Sequence, residues 1–399
     1  MDPVNIAFGA DGKLWVAEMS DYPQGADNQG SPGGRVRYLE DTNGDGKFDK
    51  STLLLEGLRY TTGVLPYRDG VLVSSTPEVF YVEVDPKTGK VGKRTTILDG
   101  FGEGNPQHVV NGFATGIDNW IYVNGDETGN IRSLATGKIV PMSGRDGRFK
   151  PDTGELETEC GMTQHLRSRD DVGQWFGGAN YCPFWHYGVE ERYLSRNPFV
   201  PAPRPWNDMY GGYYPAVFPT SRITGKFNDL FTANRFTSAC SPHPYRDQLL
   251  GDGSDQTIFA CEPVHNLVHR ARLVRQGLSF RAERFPVDAS SEFLSSSDPW
   301  CRPVRVLTGP DGAVWIADMY RQVIEHPTWI PESWLEQLDV RAGHDKGRIY
   351  RVYPQGKRPS GPAIPNLARL SSRDLIALLG DVNGWKRDSA QRLLIERGE

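Results

Sequence analysis

One phrase of alternating apolar and polar residues, interrupted by a Gly/Asp-rich turn, recurs along the chain. Clear copies read NIAFGADGKLWVAE at 5–18, GVLPYRDGVLVSS at 63–75, GFATGIDNWIYVNGD at 112–126 and RVLTGPDGAVWIADMY at 305–320. Weaker copies read QHLRSRDDVGQWFGGAN at 164–180 and YPAVFPTSRITGKFNDLFTANR at 214–235. Alternation with a period of two predicts β-strands, and a Gly/Asp turn between two such runs predicts a hairpin with a two-residue turn.

The spacing of these turns predicts how the hairpins assemble. The turns fall near positions 11, 69, 118, 171, 228 and 311, so most gaps leave room for four strands. Six such units are most economically closed into a ring, because radial closure protects the edges of the sheets. The pattern therefore predicts an all-β fold, a six-bladed β-propeller over residues 1–355. An open β-sandwich is the alternative.

The pattern changes near the end of the chain. Residues 356–365 are rich in Pro and Gly and predict a linker. Residues 366–399 then predict two helices, near 372–379 and 384–397, with Ser372 and Asn383 as N-caps.

The second predicted helix has an apolar face that includes Trp385, Leu393 and Leu394. A lone pair of helices buries such a face poorly. We therefore expect a short helical extension of HEAT type, the first unit of a helical-repeat segment.

Composition and charge narrow the classes of function. The chain has 399 residues, 44 Gly, 29 Pro and a net charge of −5. No basic stripe is present, which argues against nucleic acid as a partner. No run of about 18 apolar residues is present, so we expect no membrane span. The opening MDPVNIAF lacks the features of a signal peptide, which is therefore absent or has been removed.

Five cysteines leave the redox state open. None forms a CxxC pair, which argues against a zinc site. Cys240 and Cys261 flank a predicted hairpin and are the preferred disulfide, and Cys182–Cys301 is a weaker second choice. Five reduced, buried thiols are the alternative.

The sharpest local motif is DTNGDGKFD at 41–49. Its oxygen ligands would follow the spacing of a short calcium loop, with Gly46 after the third ligand. The predicted metal ligands are Asp41, Asn43, Asp45, Lys47 through its carbonyl, and Asp49. Thr52 stands where the usual bidentate Glu would be. The alternative is a turn held by Asx hydrogen bonds.

His108 is the principal candidate catalytic residue. It precedes the inner strand of a predicted blade, where a side chain points to the central channel at one rim. A neutral imidazole there can accept a proton from a sugar hydroxyl. The alternative is a satisfied polar group in a loop.

Other polar residues are predicted to lie near the channel. Arg302 is the second candidate catalytic residue and could bind a carboxylate or a quinone oxygen through its forked donors, although each candidate could also be an internal anchor. The candidate substrate- or cofactor-binding residues are Asn111, Asn180, His186, His265, Asn266, Asp318 and Tyr320. The aromatic insertion at 325–337 is predicted to cover one mouth of the channel.

Three long phrases carry a family resemblance: EDTNGDGKFDKSTLL, EPVHNLVHR and RPVRVLTGPDGAVWIADMYRQVIEHPTWIP. The chain resembles, over about 1–355, the membrane-bound dehydrogenase domain of planctomycete-type bacteria, which is related to glucose/sorbosone dehydrogenase-like β-propellers. In that family HEAT-like helices typically follow the propeller.

The resemblance implies a function and a cofactor. The spacing from His108 to Gly116 resembles that of the quinone-dependent glucose dehydrogenases, which implies His108 as general base with pyrroloquinoline quinone (PQQ) above it. Arg302 resembles the closing-blade Arg of that group. The implied substrate is a sugar or polyol, the implied electron acceptor a cytochrome c, and the implied location periplasmic or secreted.

Two other functions stay open. A glycan-cleaving hydrolase or lyase would use paired carboxylates, with Asp126, Glu127, Glu262 and Asp318 as candidates. A non-catalytic propeller that binds carbohydrate or protein would need only polar and aromatic groups at the rim.

Overall fold

The computed structural model describes residues 1–85, 88–125, 129–142, 144–199, 204–221, 233–251, 256–357 and 364–398. Its strands are, in chain order, β1 (Pro3–Phe8), β2 (Leu14–Glu18), β3 (Gly34–Glu40), β4 (Lys50–Leu58), β5 (Thr61–Tyr67), β6 (Gly70–Ser75), β7 (Glu78–Val84), β8 (Val91–Asp99), β9 (Asn111–Thr115), β10 (Ile121–Asn124), β11 (Asn130–Ser133), β12 (Ile139–Pro141), β13 (Asp146–Phe149), β14 (Leu156–Glu159), β15 (Ser168–Arg169), β16 (Trp175–Ala179), β17 (Cys182–Tyr187), β18 (Asn207–Asp208), β19 (Cys240–Pro244), β20 (Thr257–Glu262), β21 (Leu267–Gln276), β22 (Ser279–Glu283), β23 (Leu294–Ser295), β24 (Pro303–Thr308), β25 (Val314–Asp318) and β26 (Arg348–Val352).

These strands form six antiparallel sheets, which are the blades of a β-propeller. The blades run outward as β1–β4, β5–β8, β9–β10–β13–β14, β15–β18, β19–β22 and β24–β26. The β11–β12 hairpin extends the second blade beyond β8, and β23 pairs with β21. The six-bladed all-β fold predicted from the repeat is therefore confirmed.

The turn between the two inner strands differs from the prediction in most blades. Only the second blade has a two-residue turn, formed by Arg68 and Asp69. The first, third and last blades use a five-residue loop in which an Asp side chain accepts a hydrogen bond from the backbone N–H two residues later. These pairs are Asp11 with Lys13, Asp118 with Trp120, and Asp311 with Ala313. The Asp is thus selected as a side-chain cap of the loop.

The position of the fifth blade was predicted wrongly. The phrase at 214–235 contains no named strand among its described residues, only a bridge between Ala216 and Arg235. The inner hairpin of that blade is β19–β20, and its turn lies between Pro244 and Thr257. The aromatic run at 214–235 imitates the alternation of a strand, but its described residues belong to the connection between blades four and five. Residues 222–232 lie outside the described part.

The cysteines lie inside the blades. All five are buried free thiols, which is the alternative that the sequence left open. Cys240 and Cys261 are direct cross-strand partners in β19 and β20, as their position beside one hairpin suggested. Cys182 and Cys301 lie in β17 and just before β24, in different blades.

The helices are α1 (Glu191–Leu194), α2 (Glu332–Leu335), α3 (Ser372–Leu378) and α4 (Gly384–Arg397), with 3-10 turns at Pro286–Asp288, Pro327–Trp329 and Leu367–Arg369. Asn383 caps α4, as predicted, by accepting from the N–H of Lys386 at 3.0 Å. The cap of α3 is Ser371, one residue before the predicted Ser372, and it accepts from the N–H of Asp374 at 3.2 Å. No helix in the described residues is long and apolar enough to cross a membrane.

Helix α4 lies across the end of the propeller where the inner hairpins turn, which we call the lower mouth. The indole of Trp385 donates to the carbonyl of Phe8 at 3.2 Å, and Arg392 donates to the carbonyl of Pro66 at 2.8 Å. The helical pair therefore buries its apolar face against the propeller, contrary to our expectation of a poorly buried face. Its core includes Leu375 and Leu394.

Candidate functional site

A cavity of about 170 Å³ lies on the propeller axis at the opposite end, the upper mouth. The inner strands begin there, so the first residues of several blades meet around it. Its walls also include the loops that follow the second strands of the blades. The residues used below are Tyr22, Gln107, His108, Asn111, Gln164, Asn180, Ser238, Pro263, Val264 and Glu325. His108, Asn111 and Asn180 were among the candidate residues from the sequence.

A chain of amide hydrogen bonds positions His108. Its Nε2 lies 3.2 Å from Nε2 of Gln164. The Oε1 of Gln164 accepts from the backbone N–H of Asn180 at 2.8 Å. Since that oxygen faces a donor, the other end of the amide is the NH2 group, which donates to His108. His108 Nε2 therefore carries a lone pair, and the ring proton lies on Nδ1.

Asn111 holds two blades together below His108. Its Nδ2 donates to the carbonyl of Gln164 at 2.6 Å and to that of Val109 at 3.1 Å. Its Oδ1 accepts from the N–H of Leu166 at 2.9 Å. The side chain thus fixes the segments that carry His108 and Gln164 relative to each other.

A second polar group lies on the other side of His108. Gln107 donates to the hydroxyl of Tyr22 at 3.1 Å and to Oε1 of Glu325 at 3.4 Å. The hydroxyl of Tyr22 in turn donates to the carbonyl of Ile324 at 2.6 Å. Burial raises the pKa of Tyr22 well above its usual value, so this phenol is neutral. These contacts bring the start of the predicted 325–337 insertion to the upper mouth.

The charge of the cavity is low. Among the described residues that line it there is no Lys or Arg, and Glu325 is the one carboxylate. The other polar groups are amides, hydroxyls and imidazoles. Such a lining suits a neutral ligand with several hydroxyl groups.

Arg302 shapes the wall of the cavity. Four of its N–H groups donate to the carbonyls of Arg321, Gln322, Pro263 and Val264, at 2.9, 2.7, 2.9 and 3.3 Å. Burial lowers the pKa of this guanidinium to about 10. The predicted contact with a carboxylate or quinone is not the arrangement found, because the forked donors are used on backbone carbonyls.

His186 lies away from the channel. It is buried in β17, with Nε2 2.9 Å from Oε1 of Gln174 and Nδ1 3.1 Å from the hydroxyl of Ser279. Burial lowers its pKa to about 4. The expectation that it adds to the channel wall is therefore not met.

His265 and Asn266 are buried in the loop between β20 and β21. His265 lies 3.1 Å from Oε1 of Glu262, and its Nε2 accepts from the N–H of Asn234 at 3.2 Å. Asn266 donates to the carbonyls of Pro299 and Cys301 at 3.0 and 2.5 Å. Both side chains join loops, as the alternative interpretation proposed, and neither lines the described cavity.

Asp318 and Tyr320 end the inner hairpin of the last blade. Asp318 is fully buried and accepts from the N–H groups of Arg302 and Tyr320 at 2.6 and 2.9 Å. Burial raises its pKa. The ring of Tyr320 packs under the guanidinium of Arg348, 4.0 Å from the ring centroid. These two residues lie outside the described cavity lining.

The carboxylates predicted for glycan cleavage are not paired in the cavity. Glu262 is buried and accepts from the N–H groups of Thr237 and Ser238 at 3.2 and 3.0 Å. Asp318 accepts hydrogen bonds from the backbone N–H groups of Arg302 and Tyr320. Asp126 and Glu127 lie outside the residues that the structure describes. Within the described lining, Glu325 has no second carboxylate beside it.

The predicted calcium loop is held by its own hydrogen bonds. Asp41 accepts from the N–H groups of Gly44 and Gly46, both at 2.8 Å. Asn43 and Asp45 each accept from the N–H two residues later, and Asp49 accepts from Thr42. In the described part of the chain, no group of three His, Cys, Asp or Glu is arranged for a metal ion. The calcium ligands Asp41, Asn43, Asp45, Lys47 and Asp49 stay a prediction.

Gln164, Gln107, Tyr22 and Glu325 were not predicted as site residues. A signal for Gln164 was present, because it precedes the inner strand of its blade as His108 does. The other three lie in loops without a repeat pattern, and only the ring closure brings them together.

Several solved structures and one family model match this chain. The solved structures similar to this chain include a glucose dehydrogenase (14% identity, 80% of this chain and 94% of that chain, TM-score 0.46). They also include the PQQ-bound aldose sugar dehydrogenase from Streptomyces coelicolor (15%, 88% and 93%, TM-score 0.48) and a luciferin-regenerating enzyme (9%, 90% and 93%, TM-score 0.49). We base no functional argument on likenesses at this level.

A search of curated proteins gave no match. A family model described as a domain of unknown function, DUF7133, matches residues 1–356. The match covers the whole propeller, from β1 to the end of β26. The chain therefore belongs to the DUF7133 family.

Proposed function

We propose that the protein is a sugar or polyol oxidoreductase that binds its substrate in the upper cavity and uses His108 as the general base. The observation that carries the proposal is the contact of His108 Nε2 with the side-chain nitrogen of Gln164, whose orientation assigns a lone pair to Nε2. Unprotonated imidazole is the form that can take a proton from a hydroxyl.

The residues of the upper cavity have separate roles in the proposed reaction. A substrate hydroxyl would replace the Gln164 amide at His108 Nε2 and transfer its proton there. The hydrogen on the same carbon would leave as hydride to a two-electron acceptor, such as a neutral quinone or the reducible dye of the assay, while the carbonyl forms. Gln107 and Glu325 would bind further hydroxyl groups, because they line the same cavity.

The quinone implied by the resemblance does not fit the described cavity. PQQ carries several carboxylates, and burying them without cationic partners is costly. The described lining supplies no Lys or Arg, while Glu325 would repel an anion and Arg302 is committed to backbone carbonyls. We therefore route no step through this quinone.

Two further parts of the proposal rest on the resemblance. They are a cytochrome c as the final electron acceptor and a periplasmic or secreted location.

A non-catalytic carbohydrate-binding propeller is the second candidate. The absence of cationic groups from the described lining favours this non-catalytic function. A polar cavity can bind a sugar although no electron acceptor is bound beside it. No comparable observation favours glycan cleavage, which requires two carboxylates on either side of the scissile bond.

The test combines binding and turnover. Purified protein is titrated calorimetrically with a panel of neutral sugars and polyols, and dye reduction is followed with and without added PQQ. We expect binding and sugar-dependent dye reduction in the wild type, with reduction lost in His108→Gln and retained in His344→Gln, whose side chain is exposed.

Each outcome is informative. Binding without reduction under every acceptor would establish the non-catalytic candidate. Absence of both would refute a carbohydrate function for this cavity. Stoichiometric PQQ binding would show that our charge argument about the cavity is wrong.

A further inference from the structure

A second cavity, of about 190 Å³, lies at the lower mouth beneath α4. It is separate from the upper cavity and shares none of its lining residues. Its described lining contains five arginines and one carboxylate. They are Arg167, Arg169, Arg246, Arg305, Arg392 and Asp388.

Three of these arginines have carboxylate partners within 3.2 Å, and Arg392 has a more distant one. Arg246 binds both oxygens of Asp388, at 2.5 and 2.9 Å, and Arg169 binds the same carboxylate at 2.9 Å. Arg167 pairs with Asp146 at 3.2 Å. The single carboxylate of the cavity is therefore already engaged by two guanidinium groups.

Arg305 has no such partner in the described part of the chain. It lies on β24, and its Nη1 donates to the hydroxyl of Ser241 and the carbonyl of Val306, at 3.1 and 3.2 Å. Its Nε is buried and has no hydrogen-bond partner. Burial lowers its pKa to about 10, which still leaves the group charged at neutral pH.

The side chains around Arg305 include the thiols of Cys240 and Cys261, and no carboxylate in the described part of the chain pairs with it. His243 accepts the N–H of Thr308 at 2.8 Å, and burial holds its pKa well below the usual value, so it is neutral. Arg392 donates to the carbonyl of Pro66, and its nearest carboxylate, Glu396, is 3.8 Å away. A buried charge without a partner is costly, and an anion in the cavity would remove that cost.

We propose that the lower cavity is a binding site for a small oxyanion, of the carboxylate or phosphate type. Arg305 lines the cavity and would bind the anion with guanidinium N–H groups that have no protein partner among the described residues, and Arg392 would approach it from α4. A guanidinium presents its N–H donors in a planar fork that matches two oxygens of either anion. The site is independent of the proposed oxidoreductase activity, because it lies at the other end of the channel.

The experiment titrates the purified chain with inorganic phosphate and, separately, with acetate, at constant ionic strength maintained with chloride. Calorimetry and thermal unfolding are the readouts. We expect saturable binding at one site and a rise in Tm with at least one of the two anions. Phosphate alone would identify a tetrahedral oxyanion, and acetate alone a carboxylate.

Arg305→Met is the test variant and Arg373→Met the control, since Arg373 is exposed on α3. We expect Arg305→Met to weaken binding at least about tenfold, which corresponds to about 1.4 kcal/mol, and the control to bind like the wild type. Absence of saturable binding, or equal binding by Arg305→Met, would overturn the proposal.

A second variant and a wild-type measurement cover the case in which Arg305→Met does not fold. Arg305→Lys keeps the charge but loses the fork, so it should bind the anion more weakly than the wild type. Hydrogen exchange of the wild type should slow in β24 and α4 on addition of the anion, but not in β22. Unchanged exchange in β24 and α4 would also overturn the site.

Discussion

His108 Nε2 lies 3.2 Å from the side-chain nitrogen of Gln164, a residue 56 positions further along the chain. The contact joins the loop before β9 to the segment before β15. Because Gln164 Oε1 already accepts from Asn180, the direction of this hydrogen bond is determined. The tautomer of the candidate base thus depends on a neighbouring blade.

The first prediction concerns that tautomer. In the wild type we expect the His108 proton on Nδ1 and none on Nε2. Long-range 15N–1H NMR correlation distinguishes the two forms. Gln164→Leu removes the donor and should populate the other tautomer, whereas Gln276→Leu, an exposed change, should have no effect. A wild-type ring protonated on Nε2 would contradict the assigned network.

A second prediction concerns the charge of the ligand. Glu325 is the one carboxylate of the described upper lining, so it should repel acidic sugars. In Glu325→Gln we expect about tenfold tighter binding of a sugar acid, with little change for the matching neutral sugar. Calorimetric titration of both ligands measures the difference. An equal effect on both would show that Glu325 acts by position and not by charge.

The third prediction concerns Asp388, which joins α4 to two blades. Burial works to raise its pKa, but the hydrogen bonds and charge of Arg246 outweigh this and hold the pKa below its usual value. Asp388→Asn should lower the free energy of unfolding at neutral pH by about 1.5–3 kcal/mol, the range for hydrogen bonds to charged groups. Denaturant unfolding measures it.

The pH dependence of this effect has a definite sign. A carboxylate with a lowered folded-state pKa stabilises the fold above its unfolded pKa of about 4, and this stabilisation is lost as the pH falls through the folded-state value. The gap between wild type and Asp388→Asn should therefore narrow below about pH 4. Asp69→Asn, an exposed change, is the control. A gap that stays constant with pH would exclude the ion pairs as its cause.

The fourth prediction concerns His186. Burial lowers its folded-state pKa to about 4, so the unfolded chain takes up the proton first as the pH falls. The neutral, buried form of His186 therefore contributes fully to the free energy of unfolding above about pH 6.5. This contribution, on the order of 3 kcal/mol, is lost as the pH falls from about 6.5 to about 4. His186→Gln should show a smaller loss over that range, and His344→Gln the full loss. Unfolding at a series of pH values measures both, and equal losses would refute the assignment.

The repeat predicted the number of blades correctly, but not the position of blade five or the form of most inner turns. Asp-Gly turns identified the inner hairpins of blades one, two and six. The Asp side chain caps the turn in blades one and six, and Asp69 forms the two-residue turn of blade two with Arg68. Blade five was misplaced, since an aromatic connection imitates a strand, although Asp252-Gly253 stands in the sequence between β19 and β20. Positions relative to the channel were harder still. His108 lies at the cavity, whereas His265 and Asn266 turn into loops that only the folded chain brings close.

Helix α4 also bears on the seam of the ring, the boundary at which the last blade meets the first. Blade one is built wholly from residues 3–58 and blade six from 303–352, so no strand crosses between the first and last blades. A buried ion pair between Asp2 and Arg321 holds that seam, and α4 then bonds to turns of several blades. Since α4 follows every blade in the chain, its bonds to the blade turns can form only after all six blades have been synthesised.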